Sequence, residues 1–319
     1  MEKGIMGNII YRLLYGTIYT LSLLPFRLLY LISDGIFLFV YYIIRYRRQL
    51  VKTNLKSSFP MYDEKRLDQL EKQFYHWFCD YIFETLKLLS ISDKQLLKRI
   101  EFRGIEQVEQ YFDKGKDCAA ILGHYCNWEW LSAIGLAFKR HPEAAMGLIY
   151  HPLRNRSMDR LFIDIRSAHR GVCVPKKDIL RYLIRYQQEK RRSLFGYISD
   201  QSPKWENMHL WLDFLNHYTP VFTGGEKLMR KMHNAVFYVD MERPRRGHYI
   251  CTFQLITSDA SQTLEFDITR QFFQMLEKSI HRQPAFYLWT HNRWKRGLNE
   301  FKKKYDIING KIIRKEEYK

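Results

Sequence analysis

Between residues 118 and 200 short apolar runs alternate with segments of helical periodicity, and this alternation restricts the fold more than any other feature of the chain. CAAILGHY (118–125), AAMGLIY (144–150), GVCVP (171–175) and SLFGYISD (193–200) have the length and apolar character of buried strands. The stretches 128–140, 156–169 and 178–191 between them carry apolar residues at helical spacing. Parallel strands need crossovers of about a dozen residues, which helices supply. The pattern therefore predicts an α/β fold, a mixed central sheet flanked by helices. AVFYVDMERP (235–244) and HYICTFQLI (248–256) flank Arg245-Arg246-Gly247 and predict a hairpin. Residues 62–100 and 266–282 predict helix, and Phe74, Trp77, Phe78, Tyr81 and Phe83 predict a packed face of the first. The charged tail, 300–319, reads as peripheral. A chain of 319 residues accommodates this as one large domain.

The N-terminus has a different character. Residues 9–44 are almost uniformly apolar, with Arg12, Arg27 and Asp34 as the charges. A spanning helix needs about 20 apolar residues. Here Pro25 and Arg27 divide the run, so one tilted span, a shallow hairpin and an interfacial helix all fit. The basic segment RYRRQLVK follows at once, with Arg45, Arg47, Arg48 and Lys52. Positive flanks stay on the cytoplasmic side and attract anionic headgroups. The expectation is a membrane anchor over residues 1–46 and a cytoplasmic-side catalytic domain over 47–319.

The formal charge of +18 favours anionic partners. Lys and Arg are scattered and form no nucleic-acid-binding fingerprint, so a membrane surface, an acidic carrier or a phosphorylated substrate fits better. The five cysteines form no CxxC pair, and neither a disulfide framework nor a zinc site is expected.

The sharpest local feature is His124-Tyr125-Cys126-Asn127-Trp128-Glu129. His124 follows an apolar strand, and active sites of open α/β sheets lie at the carboxyl ends of strands. Asn127 suits a helix N-cap, which puts Glu129 in a first turn. A turn of this kind brings Glu129 onto one imidazole nitrogen and leaves the other to accept a proton from a substrate hydroxyl. Such a relay activates an alcohol for attack on an acyl carbonyl. By itself His-x4-Glu is a weak motif.

The stretch is similar to the His-x4-Asp/Glu motif of the lysophospholipid acyltransferase superfamily. The chain as a whole resembles that superfamily's lipid A late (lauroyl/myristoyl-type) acyltransferase branch. Over residues 20–297 the resemblance is carried by LPFRLLYLISDGIFLFVYYIIRYRRQLVKTNLKSSFP, Asp80–Leu89, the His124 motif, YHPLRNRSMDRLFIDIR, SDQSP, FLNHYTPVFTGGEKLMRK and QPAFYLWTHNRWK. It implies His124 as catalytic base with Glu129 as its partner, and Arg166 as a stabiliser of an oxyanion or an anionic group. Asn155 and Asp159 match polar positions of the same block. Asp200 matches an acidic position that would place substrate or hold Arg166. Thr223, Gly224 and Gly225 match a small-residue helix start that would cradle a phosphate or carry the helix. His291 and Arg293 match the C-terminal signature. One departure is Tyr150-His151-Pro152, where the branch commonly has Tyr-Arg-Pro.

The resemblance thus implies transfer of a fatty acyl chain from an acyl carrier, acyl carrier protein or coenzyme A, to a hydroxyl of a lipid A precursor at the bacterial inner membrane. No metal or further cofactor is implied. The alternatives are acylation of another membrane lipid and a non-catalytic lipid-binding protein of the same fold.

Overall fold

A computed structural model describes residues 2–308 and 310–315, the first six of these by backbone alone. Met1, Asn309 and residues 316–319 lie outside the described residues.

Helix α1 (Glu2–Leu23) stops before Pro25, which has no N–H to continue it and sits at the cap of α2 (Phe26–Leu38) with extended φ,ψ of −63°, 150°. The second helix continues as a wider turn to Ile44, and Phe26–Ile44 is long and apolar enough to cross a membrane by length and composition. Its outer side exposes Leu28, Leu31 and Ile43. Its inner side packs on α4, with Ser33 Oγ on Asp80 at 2.8 Å and Tyr30 Oη on Glu84 at 2.9 Å. Helix α3 (Arg48–Ser58) leads to α4 (Glu64–Lys87), capped by the Asp63 carboxylate on Arg66 N at 2.7 Å, and then α5 (Asp93–Leu97).

The rest of the chain runs β1 (Ile100–Arg103), α6 (Ile105–Asp113), β2 (Cys118–Leu122), a 3₁₀ segment (Trp128–Leu136), β3 (Ala145–Tyr150), α7 (Arg156–Ser167), β4 (Gly171–Pro175), α8 (Ile179–Gln188) and β5 (Ser193–Ile198). It continues through β6 (Leu210–Phe214), β7 (His217–Val221), α9 (Gly224–Lys231), β8 (Ala235–Arg245), β9 (His248–Thr257) and α10 (Asp267–Arg282). It ends in α11 (Leu298–Lys304), β10 (Tyr305–Ile308) and β11 (Lys311–Arg314).

The central sheet has seven strands in the order β1-β9-β8-β2-β5-β3-β4. Strands β8, β2, β5, β3 and β4 run parallel; β9 runs against β8, and β1 follows β9. The sheet is mixed and lies between helices, as the alternation predicts. Side chains alternate between its faces. On one face Tyr186 of α8 meets Phe195, and Leu276 of α10 packs against Gly123 so tightly that a Cβ there would lie 2.8 Å from it. The 3₁₀ segment, α4 and α7 cover the other face.

Three local expectations differ from what is observed. Residues 62–100 do not form one helix: Ser90–Ser92 break it, and Ile100 already belongs to β1. Residues 128–136 coil as 3₁₀ rather than α. The β6–β7 hairpin was not foreseen, because its turn residues, Leu215 and Asn216 at φ of 50° and 67°, include no glycine to signal it.

Candidate active site

The parallel register of β2 and β5 pairs Leu122 with Ile198. Two residues further on, at the carboxyl ends of these strands, His124 and Asp200 come side by side. The imidazole Nδ1 lies 2.7 Å from Asp200 Oδ1, and the His124 backbone N–H donates to Oδ2 at 3.0 Å. The partner of the imidazole is therefore Asp200 and not Glu129, a correction to the pairing expected from His-x4-Glu. Asp200 is 2% exposed while the imidazole is 17% exposed, so the carboxylate is sealed behind a ring that substrate can still reach. Burial raises the Asp200 pKa, but the charge and hydrogen bonds of His124 and the nearby Arg293 guanidinium outweigh it, and the carboxyl titrates below its usual range. In the neutral imidazole, a carboxylate accepting at Nδ1 favours the tautomer with the proton on that nitrogen and the lone pair on Nε2. The Gln201 amide nitrogen is 3.2 Å from Nε2.

The turn after His124 is held tightly. Cys126 takes a positive φ of 51°, unusual for a side-chain-bearing residue, and is fully buried. Its N–H donates to Phe286 O at 2.8 Å, and Leu288 N–H donates to His124 O at 3.1 Å. The C-terminal block 284–296 thus straps the motif's backbone. Asn127 caps the 3₁₀ segment, accepting from Trp130 N–H at 3.4 Å, and its amide donates to the buried Glu84 at 2.8 Å. The Trp128 ring then lies edge-on to His124, 5.0 Å between centroids, and against Tyr81, 4.3 Å away.

Glu129 projects from this segment to Arg166 of α7 in a bidentate pair, Nε to Oε2 at 2.7 Å and Nη2 to Oε1 at 2.6 Å. Burial lowers the pKa of Arg166, but the Glu129 hydrogen bonds and charge more than compensate and hold it above its usual range. Tyr81 is pushed well above the ordinary phenol range by burial and then by the Glu129 charge.

A cavity of ≈ 400 Å³ opens between these two pairs. His124, Glu129, Arg166, Asp159, His151 and Gln201 stand around it, and its inner walls are apolar, with Leu122, Ile134, Leu148, Leu194, Ile198 and Phe253 among them. The walls follow β5 from Ile198 inward to Leu194, four residues or about 13 Å of strand.

The other expected residues take varied places. Asn155 caps α7, its Oδ1 accepting from Ser157 N–H at 3.0 Å and Met158 N–H at 3.1 Å. Asp159 accepts from Leu153 N–H at 2.6 Å and shapes the 151–155 loop beside the cavity. Thr223 and Gly224 are not brought to His124: α9 begins on the opposite face of the sheet, where a Cβ on Gly225 would lie 3.2 Å from the Tyr197 ring. Thr223, Gly224 and Gly225 are not among the residues lining the cavity; Gly225 packs closely on Tyr197, while the Gly224 backbone is open on its Cβ side. His291 sits near Asp200 and His124, and burial first of all lowers its pKa to about 4. Arg293 is 1% exposed and donates to Pro220 O at 2.7 Å. Gln201 was not singled out from the sequence; its place beside Asp200 in Ser199–Pro203 was the available signal.

Asp34, His76 and Asp80 have potential ligand atoms within 4.8 Å of one another. Arg246 already sits 2.6 Å from both carboxylates, and Arg243 2.7 Å from Asp80, so this trio belongs to a salt-bridge network.

Comparison with known proteins agrees with the geometry. A family model described as bacterial lipid A biosynthesis acyltransferase matches residues 6–296. A curated relative from Haemophilus influenzae, named lipid A biosynthesis acyltransferase, is 25% identical over 275 residues, covering 84% of this chain and 82% of the relative.

Proposed function

This chain belongs to the bacterial lipid A biosynthesis acyltransferase family, and from that premise we propose that His124 acts as general base in moving a fatty acyl chain from acyl carrier protein to a hydroxyl of a lipid A precursor. The observation that carries this reading is the Asp200–His124 contact at the edge of the apolar cavity that His124 lines. In the step, Nε2 takes the proton of the acceptor hydroxyl. The oxygen attacks the thioester carbonyl carbon, the carbon–sulfur bond breaks, and the sulfur leaves as a thiol by taking the proton back from the imidazolium. Asp200 stabilises the imidazolium while it exists.

Arg166 supplies fixed positive charge beside the reacting carbonyl. Glu129 acts through Arg166, holding its Nε and Nη2 and so fixing the plane of the guanidinium. The apolar cavity takes the acyl chain; each buried methylene contributes about 0.8 kcal/mol. Asp159 and His151 line the mouth and contact the acceptor. The positive net charge suits an acidic carrier protein and a phosphorylated lipid. No cofactor beyond the thioester donor is consumed. Residues 1–46 hold the enzyme at the inner membrane, with the Arg45–Arg48 flank on the cytoplasmic side.

The test is to incubate purified wild-type and His124→Ala proteins with acyl carrier protein or coenzyme A thioesters and candidate acceptors, and to read acylation by mass spectrometry. The proposal expects lipid A precursor to gain one acyl chain, and His124→Ala to lose about 10²–10⁴-fold in rate. Full transfer by His124→Ala would overturn the base assignment. Acylation of another lipid with the precursor untouched would overturn the acceptor.

A further inference from the structure

A second cavity, of ≈ 720 Å³, lies where the α1–α2 junction meets the end of α4, α5 and the β8–β9 hairpin. Its charged lining is entirely basic: Lys87, Lys98, Arg99, Arg245 and His248, with no Asp or Glu among the lining residues. These residues come from separate segments and converge only in the folded chain.

Three of the five are already used in the fold, His248 through a hydrogen bond with the Lys98 backbone. Lys87 Nζ donates to Ser22 O at 2.6 Å and Leu24 O at 3.0 Å, tying down the junction. The Arg99 guanidinium lies 3.7 Å from the Phe26 ring centroid and donates to Gly247 O at 3.2 Å. Lys98 and Arg245 are exposed, and among the described residues their side chains make neither an ion pair nor a hydrogen bond. Nearby carboxylates have other partners: Asp93 holds His169 at 2.6 Å, and Asp80 holds Arg243 at 2.7 Å. Burial first, and then Arg245 and Arg99, lower the His248 pKa. Burial and then Arg99 lower that of Lys87. Like charges are therefore crowded here without a counter-charge, and an anion relieves that crowding.

The neighbouring surface narrows the class of anion. Leu23 borders the cavity and is 56% exposed, and the exposed Leu28 and Leu31 continue the apolar surface along α2. Cations beside an open apolar surface suit a headgroup whose tails lie against the helix pair. Phe26, which forms part of this cavity, also contacts Trp130 edge-on at 6.3 Å, next to Glu129.

We infer that this basic cavity binds the phosphate ester of a membrane lipid, with Lys98 and Arg245 as the groups that pair with it. The phosphate belongs either to an anionic phospholipid of the bilayer or to the acyl acceptor. The site goes beyond the acyl-transfer reading, and its binding test requires no turnover.

The experiment titrates full-length protein in neutral detergent with short-chain phosphatidylglycerol and phosphatidylcholine by calorimetry. Wild type is expected to prefer the anionic lipid by at least about tenfold, the scale of one or two charge-assisted hydrogen bonds. Lys98→Gln/Arg245→Gln loses that preference, and the charge-preserving Lys98→Arg/Arg245→Lys keeps it. His124→Ala binds as wild type does, which separates failure here from failure of the catalytic assignment. In turnover with a phosphorylated acceptor and its phosphatase-treated form, a KM increase confined to the phosphorylated acceptor identifies the acceptor as the source. Loss of activation by phosphatidylglycerol identifies the bilayer. A double Gln variant with unchanged lipid preference overturns the inference.

Discussion

Two carboxylates stand by the apolar cavity at nearly the same distance from a basic partner, Asp200 at 2.7 Å from His124 and Glu129 at 2.6 Å from Arg166. What differs is the partner. Imidazole gains and loses a proton near neutrality, whereas guanidinium stays charged. The first pair can move a proton, and the second can only present fixed charge. Their exposures agree with this: both carboxylates are sealed at 2% and 4%, and in each pair the basic group is the part that substrate can reach. Both oxygens of Glu129 accept from Arg166, and none of the hydrogen bonds of His124 goes to Glu129.

Breaking the second pair should have the largest effect on stability. Glu129→Gln leaves a mostly buried guanidinium without its counter-charge, expected to cost about 3–5 kcal/mol. Denaturant unfolding of Glu129→Gln, Arg166→Gln and the double variant measures the coupling, and the double variant should recover part of the loss. A double variant equal to the sum of the singles would mean that the two side chains act independently.

A smaller effect is expected inside the cavity, on substrate choice. A Cβ on Gly196 meets only Gly147 O at 3.7 Å and Leu122 Cδ2 at 3.9 Å, both ordinary contacts. Gly196→Ala should therefore fold and narrow the channel, shifting preference toward shorter chains by about fourfold per methylene excluded. Competition between acyl donors of different length measures it.

The smallest effect concerns the His291 neighbour of the first pair. Its pKa is depressed to about 4 from 6.5, so the unfolded chain binds the proton over that interval and the folded one does not. The stability contribution is present above pH 6.5 and is lost as the pH falls toward 4. Thermal unfolding of His291→Gln across that interval should fall less steeply with acid than wild type.

The sequence is informative about this molecule where the signals are local. The buried strands, the β8–β9 hairpin with its Gly247 turn at φ 70°, and the His124 motif at a strand end are all legible along the chain. The partner of His124 is not, because it is fixed by β2 lying next to β5, 76 residues later. Spacing pointed to Glu129, five residues away, but the positive φ at Cys126 and the Trp128 ring turn that carboxylate toward α7. Strand β1 has a similar origin, since its strand partner among the described residues is β9, about 150 residues on. The basic residues of the second cavity are likewise scattered and look like ordinary surface residues in the sequence.

The most direct measurement compares kcat of Asp200→Asn and Glu129→Gln at saturating acyl donor and acceptor, with folding of each verified. If Asp200 holds and stabilises the catalytic imidazole, Asp200→Asn loses about 10²–10⁴-fold in kcat and its pH–rate profile changes with it. Wild-type kcat and pH profile in Asp200→Asn, with Glu129→Gln inactive, would show that Glu129 is the carboxylate that serves His124 during turnover, and would contradict this account.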